Sequence, residues 1–449
     1  MKKSLLLLLL SFVLILAACN QQSGSEESSK NEEKSESASS ESTEESKDEV
    51  AGDSGEKAEV TFWHAMNDDH EKWLKEKTDE FNNDNENIEV KLVNQGSYDD
   101  LSKKLLAAGK AKKLPTISQA YGEWILNYKD NDLVEDLKPM IDGENGFENY
   151  EDINKVFRED NTFGEEVLGL PFNKSTRVLF VNNDLLKEAG VEAPKTWEEL
   201  KTAAEKMTTE KDGKKVVGMG FENGLAHEIS MWIKQAGGEF IDEEKQQVKF
   251  NSEEGLKALE YIDGMLNDGT ARMAGEDEYL SGPFTNGDVG MYIGSSAGIA
   301  YVQKDAKDID WTTVPLPKGE EEAAPFQGTN ITMFKTAEDA AKQGAFEYMK
   351  FLISEENTTD WAKTTGYLPV RTTALESDEW KKFVEENPAH KAGVSQYDNG
   401  FIEERVPGAF AMKEAIAKEL DKMLFEDAKP KETLENMEKE AQKAIDEAK

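Results

Sequence analysis

The sequence has one cysteine, four histidines and a deficit of basic residues, and each shortage excludes something. A lone Cys19 rules out an intramolecular disulfide, so the fold must rest on its own apolar core. With 53 Lys and Arg against 92 Asp and Glu, the formal net charge is −39. A chain of that sign does not attract nucleic acid phosphates or anionic lipid. His64, His70, His227 and His390 stand apart, with no HExxH spacing. No GxSxG elbow, Walker A loop or GxGxxG turn occurs. No catalytic residue, metal or cofactor is therefore expected. The one long apolar run, Leu5 to Leu16, is shorter than the about 20 residues of a membrane span.

That run follows Lys2 and Lys3 and ends in Leu16-Ala17-Ala18-Cys19. A basic start, a short apolar stretch and a small-residue cleavage site describe a secretory signal over residues 1–18. Leu-Ala-Ala-Cys also resembles the bacterial lipobox, which implies that Cys19 is lipidated and starts the mature chain at the outer face of the cell membrane. Residues 19–57 then read as an acidic tether, because Ser, Glu, Lys, Asp and Gly dominate and Val50 is the only larger aliphatic. Such a segment buries too little apolar surface to offset its ordering entropy.

From residue 58 the pattern becomes globular, and its length suits two lobes. Val60–Trp63, Ile88–Val93 and Pro115–Tyr121 read as strands, with helices at His70–Asn82 and Tyr98–Gly109 between them. This alternation predicts an α/β fold with a parallel, doubly wound sheet. A second set follows. Val178–Asn182 and Asp288–Ile293 are strands, and helices start after Thr196, a good N-cap, and near Gly255. Beyond Ala337 the chain reads as mostly helical.

Seven segments gather aromatic, glycine and small hydroxyl residues in predicted turns. They begin at Phe62, Asn94, Gln119, Pro171, Gly294, Gln327 and Thr364. Aromatic rings stack on a ligand, while hydroxyls and N–H groups bind its oxygens. Their placement after strands suggests a cleft.

Phe62-Trp63-His64-Ala65-Met66, Gly96-Ser97-Tyr98, Pro171-Phe172-Asn173-Lys174-Ser175-Thr176, Asn286-Gly287-Asp288-Val289-Gly290-Met291 and Gly366-Tyr367-Leu368-Pro369 together resemble the extracellular solute-binding proteins of carbohydrate-type ABC importers. The glycerol-phosphate-binding members are the most similar. This implies a two-lobed periplasmic-binding-protein fold, maltose-binding-protein-like, with hinged lobes around a central cleft. The expected lobes are 58–176 plus 310–355 and 177–309 plus 356–449. The implied ligand contacts are Tyr98, Ser175, Ser296, Gly328, Tyr367 and Arg405, with Arg405 pairing a phosphate. Trp63, His64, Tyr121, Glu123 and Ser295 are added as neighbours in the same segments, and Trp232 from the region that corresponds to a tryptophan pair of the family. Three departures stand out. Gly122 takes the place of the family's acidic residue, with Glu123 one position later; the family's tryptophan pair in the second lobe is replaced by a region holding His227 and Trp232; and Arg177 replaces an apolar residue, where it either adds positive charge at the cleft or, the favoured reading, pairs with a surface carboxylate.

The function this implies is capture of sn-glycerol-3-phosphate or a glycerophosphodiester by a monomeric lipoprotein, which hands it to an ABC permease without bond chemistry. An oligosaccharide receptor and an exported hydrolase are the alternatives.

Overall fold

The structure, a computed structural model, describes residues 57–449 except Asp212 and Glu404. The expected signal peptide and Cys19 lie outside the described residues. The elements that position the site are strands β1 (Ala58–His64), β2 (Ile88–Asn94), β3 (Ile117–Ala120), β4 (Leu170–Asn182), β5 (Lys214–Phe221), β6 (Ala271–Met273), β7 (Val289–Ser295), β8 (Trp311–Val314) and β9 (Ala324–Met333). Among the helices are α1 (Asp68–Asp84), α2 (Tyr98–Ala111), α3 (Gly122–Asp130), α4 (Lys155–Asn161), α5 (Trp197–Met207), α6 (Ile229–Gln235), α7 (Glu253–Asn267), α8 (Gly298–Asp305), α9 (Asp339–Leu352), α10 (Glu355–Thr365), α11 (Ala409–Glu426) and α12 (Pro430–Glu447).

The strands follow one path, β6-β5-β7-β4-β9-β3-β1-β2. At each end they run parallel, β1 with β2 and β3, and β5 with β6 and β7. The middle departs from the all-parallel expectation. There β9 is antiparallel to both β3 and β4, and β4 is antiparallel to β7. The reason is that β4 and β9 are shared. Through Thr176 strand β4 pairs with β9, and from Arg177 onward it pairs with β7. One thirteen-residue strand thus joins two half-sheets.

Each half carries its own apolar core. Val60, Phe62, Leu74, Phe81, Ile117 and Met349 pack on the first. Leu179, Val181, Leu200, Met219, Trp232, Ile262, Leu420 and Leu434 pack on the second. The helices supply these residues at three- and four-residue spacing, which is why α5 turns Leu200, Ala203, Ala204 and Met207 inward. The Thr196 hydroxyl accepts from Glu199 N at 3.2 Å, the N-cap expected of it.

Packing redraws the expected lobes. Strand β8, expected in the first, pairs with Leu179–Asn182 of β4 on the second half. Helix α10, expected in the second, buries Trp361 with Val60 and Phe62. The segments starting at Pro171 and Gln327, read as turns, lie inside β4 and β9. Their polar residues are buried against partners remote in sequence, so no surface alternation marks them as strand.

Candidate functional site

The site forms where β4 changes partner. Gly96 turns the chain with φ +93°, and Ser97 caps α2 through a reciprocal capping box with Asp100. This fixes Tyr98, the first residue of α2, facing β4. The Asn173 amide donates to the Tyr98 hydroxyl at 2.9 Å. Gln119 Nε2 donates to Asn173 Oδ1 at 2.9 Å, and the Thr329 hydroxyl donates to the same oxygen. Gln119 Oε1 in turn accepts from the Ala65 N–H at 2.8 Å. Four segments of the first half are thereby locked around one amide.

Aromatic rings complete that wall. Tyr98 and Tyr121 meet edge-on at 5.3 Å, and Tyr121 meets Trp124 at 5.0 Å. The Tyr367 hydroxyl lies beside Asn173 and Tyr98. Its ring stacks on Trp361 at 5.3 Å, and Trp361 stacks on Phe172 at 5.2 Å. Burial, with neighbouring hydroxyls, raises the Tyr98 and Tyr121 phenols far above their usual range. They stay neutral donors at any physiological pH. Trp63 is half-buried beside them.

The remaining expected residues divide. Ser175 and Ser296 flank the strand changeover: Ser175 sits opposite Gln327, and the Ser296 N–H donates to the Thr176 carbonyl at 2.9 Å. Ser295 is half-buried, and its hydroxyl accepts from the Ala297 N–H at 3.3 Å. Gly328 has φ +102°, and a Cβ there would fall 2.0 Å from the Asn173 carbonyl oxygen, so no other residue fits. His64 is buried, accepts from the Met66 N–H through Nδ1, and is lowered to about 4 by burial, with Glu71 opposing. It is a neutral packing residue at pH 7. Glu123 faces Lys413 at 3.6 Å, and Lys413 also pairs with Glu403. These contacts tie α3 to α11.

Two expectations need correction. Trp232 is fully buried among Trp197, Phe221 and Tyr261, at ring distances of 5.2, 5.9 and 5.8 Å. It builds the second core rather than an open wall. Arg177 does not pair with a surface carboxylate. Its Nε lies 3.1 Å from Glu228 Oε1, and its Nη1 lies 3.8 Å from Glu222 Oε2, with all three side chains at least mostly buried.

Arg405 sits against the end of α4. Nη1 donates to the Asp160 and Thr162 carbonyls at 3.1 and 3.2 Å, and Nη2 donates to that of Glu159 at 3.2 Å. The guanidinium also lies over the Phe163 ring at 4.4 Å. Carbonyls at a helix C-terminus hold a cation by about 0.3–1 kcal/mol and leave its charge intact.

Sequence reasoning missed Gln119, Asn173, Lys174 and Asp160 as the frame of the site. A polar residue inside an otherwise apolar strand was the available signal. A cavity of about 660 Å³, lined by Lys215, Arg272, Tyr279 and Asp288, lies away from this frame. Among the described residues no His, Cys, Asp and Glu side chains group as a metal site, and no helix is long and apolar enough to cross a membrane.

The family described as bacterial extracellular solute-binding protein matches residues 77–392. The chain belongs to that family. Its relatives include the sn-glycerol-3-phosphate-binding periplasmic protein UgpB of Pectobacterium atrosepticum, 25% identical over 372 residues, covering 76% of this chain and 80% of the relative. The Salmonella typhimurium UgpB is 24% identical over 363 residues, with the same coverage. Among solved structures, UgpB from Mycobacterium tuberculosis in complex with glycerophosphocholine has a TM-score of 0.78 at 20% identity, covering 86% of this chain and 98% of that one. The cyclic alpha-maltosyl-1,6-maltose binding protein from Arthrobacter globiformis has a TM-score of 0.75 at 22% identity, covering 87% and 100%. The fold is therefore the two-lobed, maltose-binding-protein-like one. As a solute-binding protein of an ABC importer, the chain binds a small molecule outside the cytoplasm and delivers it to permease subunits. It is a binding protein, not an enzyme.

Proposed function

We propose that this solute-binding protein captures sn-glycerol-3-phosphate or a glycerophosphodiester as a monomer tethered through a lipid on Cys19. The observation that carries the ligand is Arg405. Its hydrogen-bond partners among the described residues are three carbonyls, with a ring beside it, so the guanidinium keeps N–H groups for a phosphate. A guanidinium fork suits that group. The carbonyls aim the fork beside Gly122, whose Cβ position lies 3.7 Å from Arg405 Cδ. The relatives at 24–25% identity support the same ligand class. Solute would select the arrangement in which the half carrying Tyr98 and Tyr121 meets the half carrying Arg177.

A second reading, an oligosaccharide receptor, is favoured by the carboxylates Glu123 and Glu403 near Tyr121 and Glu222 and Glu228 near Arg177. Titration calorimetry with sn-glycerol-3-phosphate and maltose separates the two. Arg405→Ala is expected to weaken glycerol phosphate by about 2–5 kcal/mol, the usual cost of truncating one partner of a buried charge pair. Arg405→Lys should recover part of it. Tight maltose binding that ignores both substitutions would transfer the assignment to the saccharide.

A further inference from the structure

Arg177 and Glu228 form a pair that the phosphate reading leaves unused. Arg177 stands on β4 at the changeover between half-sheets, with its side chain 13% exposed, and Glu228, just ahead of α6, is 2% exposed. Nε and Oε1 lie 3.1 Å apart as an ion pair, and among the described residues neither atom makes a hydrogen bond. The pair is thus held by charge, with the hydrogen-bonding capacity of a nearly buried guanidinium N–H and a buried carboxyl oxygen left open. Such groups are costly to leave without a hydrogen bond. The pair is not an isolated core feature: the Arg177 charge interacts with the Tyr121 hydroxyl and with Glu403, both part of the tyrosine-lined site.

The charges around the pair decide what fits. Glu222 is 3.8 Å from Arg177 on a second side, so two carboxylates face one guanidinium. An added anion would meet like charge, worth about 4 kcal/mol at 4 Å near a protein surface. An added cation would meet Arg177. A hydroxyl is donor and acceptor at once, so two adjacent hydroxyls can donate to the carboxylate and accept from the guanidinium without net charge.

We propose that Arg177 and Glu228 read a vicinal diol on the solute. The pair sets specificity for the hydroxyl-bearing part of the ligand. This rests on the solute-receptor reading and extends it. The site then offers two arginines of different chemistry: Arg405 with carbonyl partners for an anion, and Arg177 with carboxyl partners for hydroxyls. A solute substituted on both glycerol hydroxyls would suit the first and fail at the second.

The test is calorimetric titration of the wild type and Glu228→Gln with three probes: sn-glycerol-3-phosphate, 3-hydroxypropyl phosphate, which lacks the diol, and maltose. Circular dichroism melting of each variant checks folding. In the wild type the diol phosphate is expected to bind at least about 10-fold tighter than 3-hydroxypropyl phosphate, as for a site built to hydrogen-bond a hydroxyl. Glu228→Gln, which keeps the shape and removes the charged acceptor, should weaken the diol phosphate by about 10-fold or more and change 3-hydroxypropyl phosphate by less than about 3-fold. Arg177→Met should act in the same direction, but the conservative Gln variant decides. Equal weakening of both phosphates, or of neither, overturns the diol assignment and leaves the phosphate reading standing. Binding of maltose alone, lost about 10-fold in Glu228→Gln, overturns the phosphate reading and supports the diol assignment. Binding of none of the three overturns both.

Discussion

Lys174 Nζ lies 2.6 Å from Asp160 Oδ2, and the two side chains are 2% and 12% exposed. Asp160 also accepts from the Asn330 amide at 2.9 Å, and Lys174 donates to the Gly328 carbonyl at 3.2 Å. The pair therefore ties α4, β4 and β9 together under the binding residues. Its two charges are satisfied chiefly by each other and by these neighbours, with Arg405 also acting on both and Glu123 on Lys174. Lys174→Met should leave a buried carboxylate without its cation and cost about 3–5 kcal/mol. Adding Asp160→Asn should return most of that. Urea denaturation of the three proteins at pH 7 measures both steps. If the single variant loses less than about 1 kcal/mol, the pair is solvated and this account fails.

The Asn173 amide makes a different prediction, because it is neutral and central. It donates to Tyr98 and accepts from Gln119 and Thr329. Asn173→Ala strips a partner from three buried or half-buried groups at once. A loss of about 1–3 kcal/mol in folding stability is expected. Tyr98→Phe removes one bond of the set and should cost about 1 kcal/mol. The double variant should cost little more than Asn173→Ala alone, since the Tyr98 bond is already gone. Simple additivity in chemical denaturation would show that the hydroxyl does not depend on the amide.

What the sequence made legible was whatever depends on near neighbours. The alternation of Ile88 to Asn94, the N-cap of Thr196 and the turn at Gly96 before Tyr98 are local, and each forms as the local pattern requires. The frame of the site was not legible, because its partners are far apart in the chain. Lys174 meets Asp160, Arg177 meets Glu228, and Asn173 meets Thr329. Polar residues with such partners sit inside β4, where a period-two reading finds only a break. Trp232 shows the opposite ambiguity. An apolar ring at helical spacing reads the same on a ligand wall and in a core, and only the surrounding Trp197, Phe221 and Tyr261 decide for the core.

Glu228 makes the stability of the unliganded protein depend on pH. Burial pushes its carboxyl up to about 7, with Arg177 pulling it down and Glu222 pushing it further up. In the unfolded chain the same group titrates near 4.5. Between these values the folded protein binds a proton that the unfolded chain has lost. The contribution is therefore fully present below about 4.5 and is lost as pH rises through about 7. Its size is on the order of 3 kcal/mol. His64 and His390, both lowered to about 4 mainly by burial, act with the opposite sign, because their contribution is lost as pH falls from 6.5 through about 4. The raw profile is the sum of these terms, so the informative quantity is a difference. Glu228→Gln cannot ionise and should gain stability relative to the wild type as pH is raised from 4.5 to 8. Denaturation of both proteins at the two pH values measures the gain. A constant difference would mean that Glu228 is ionised throughout and that Arg177 fully compensates its burial.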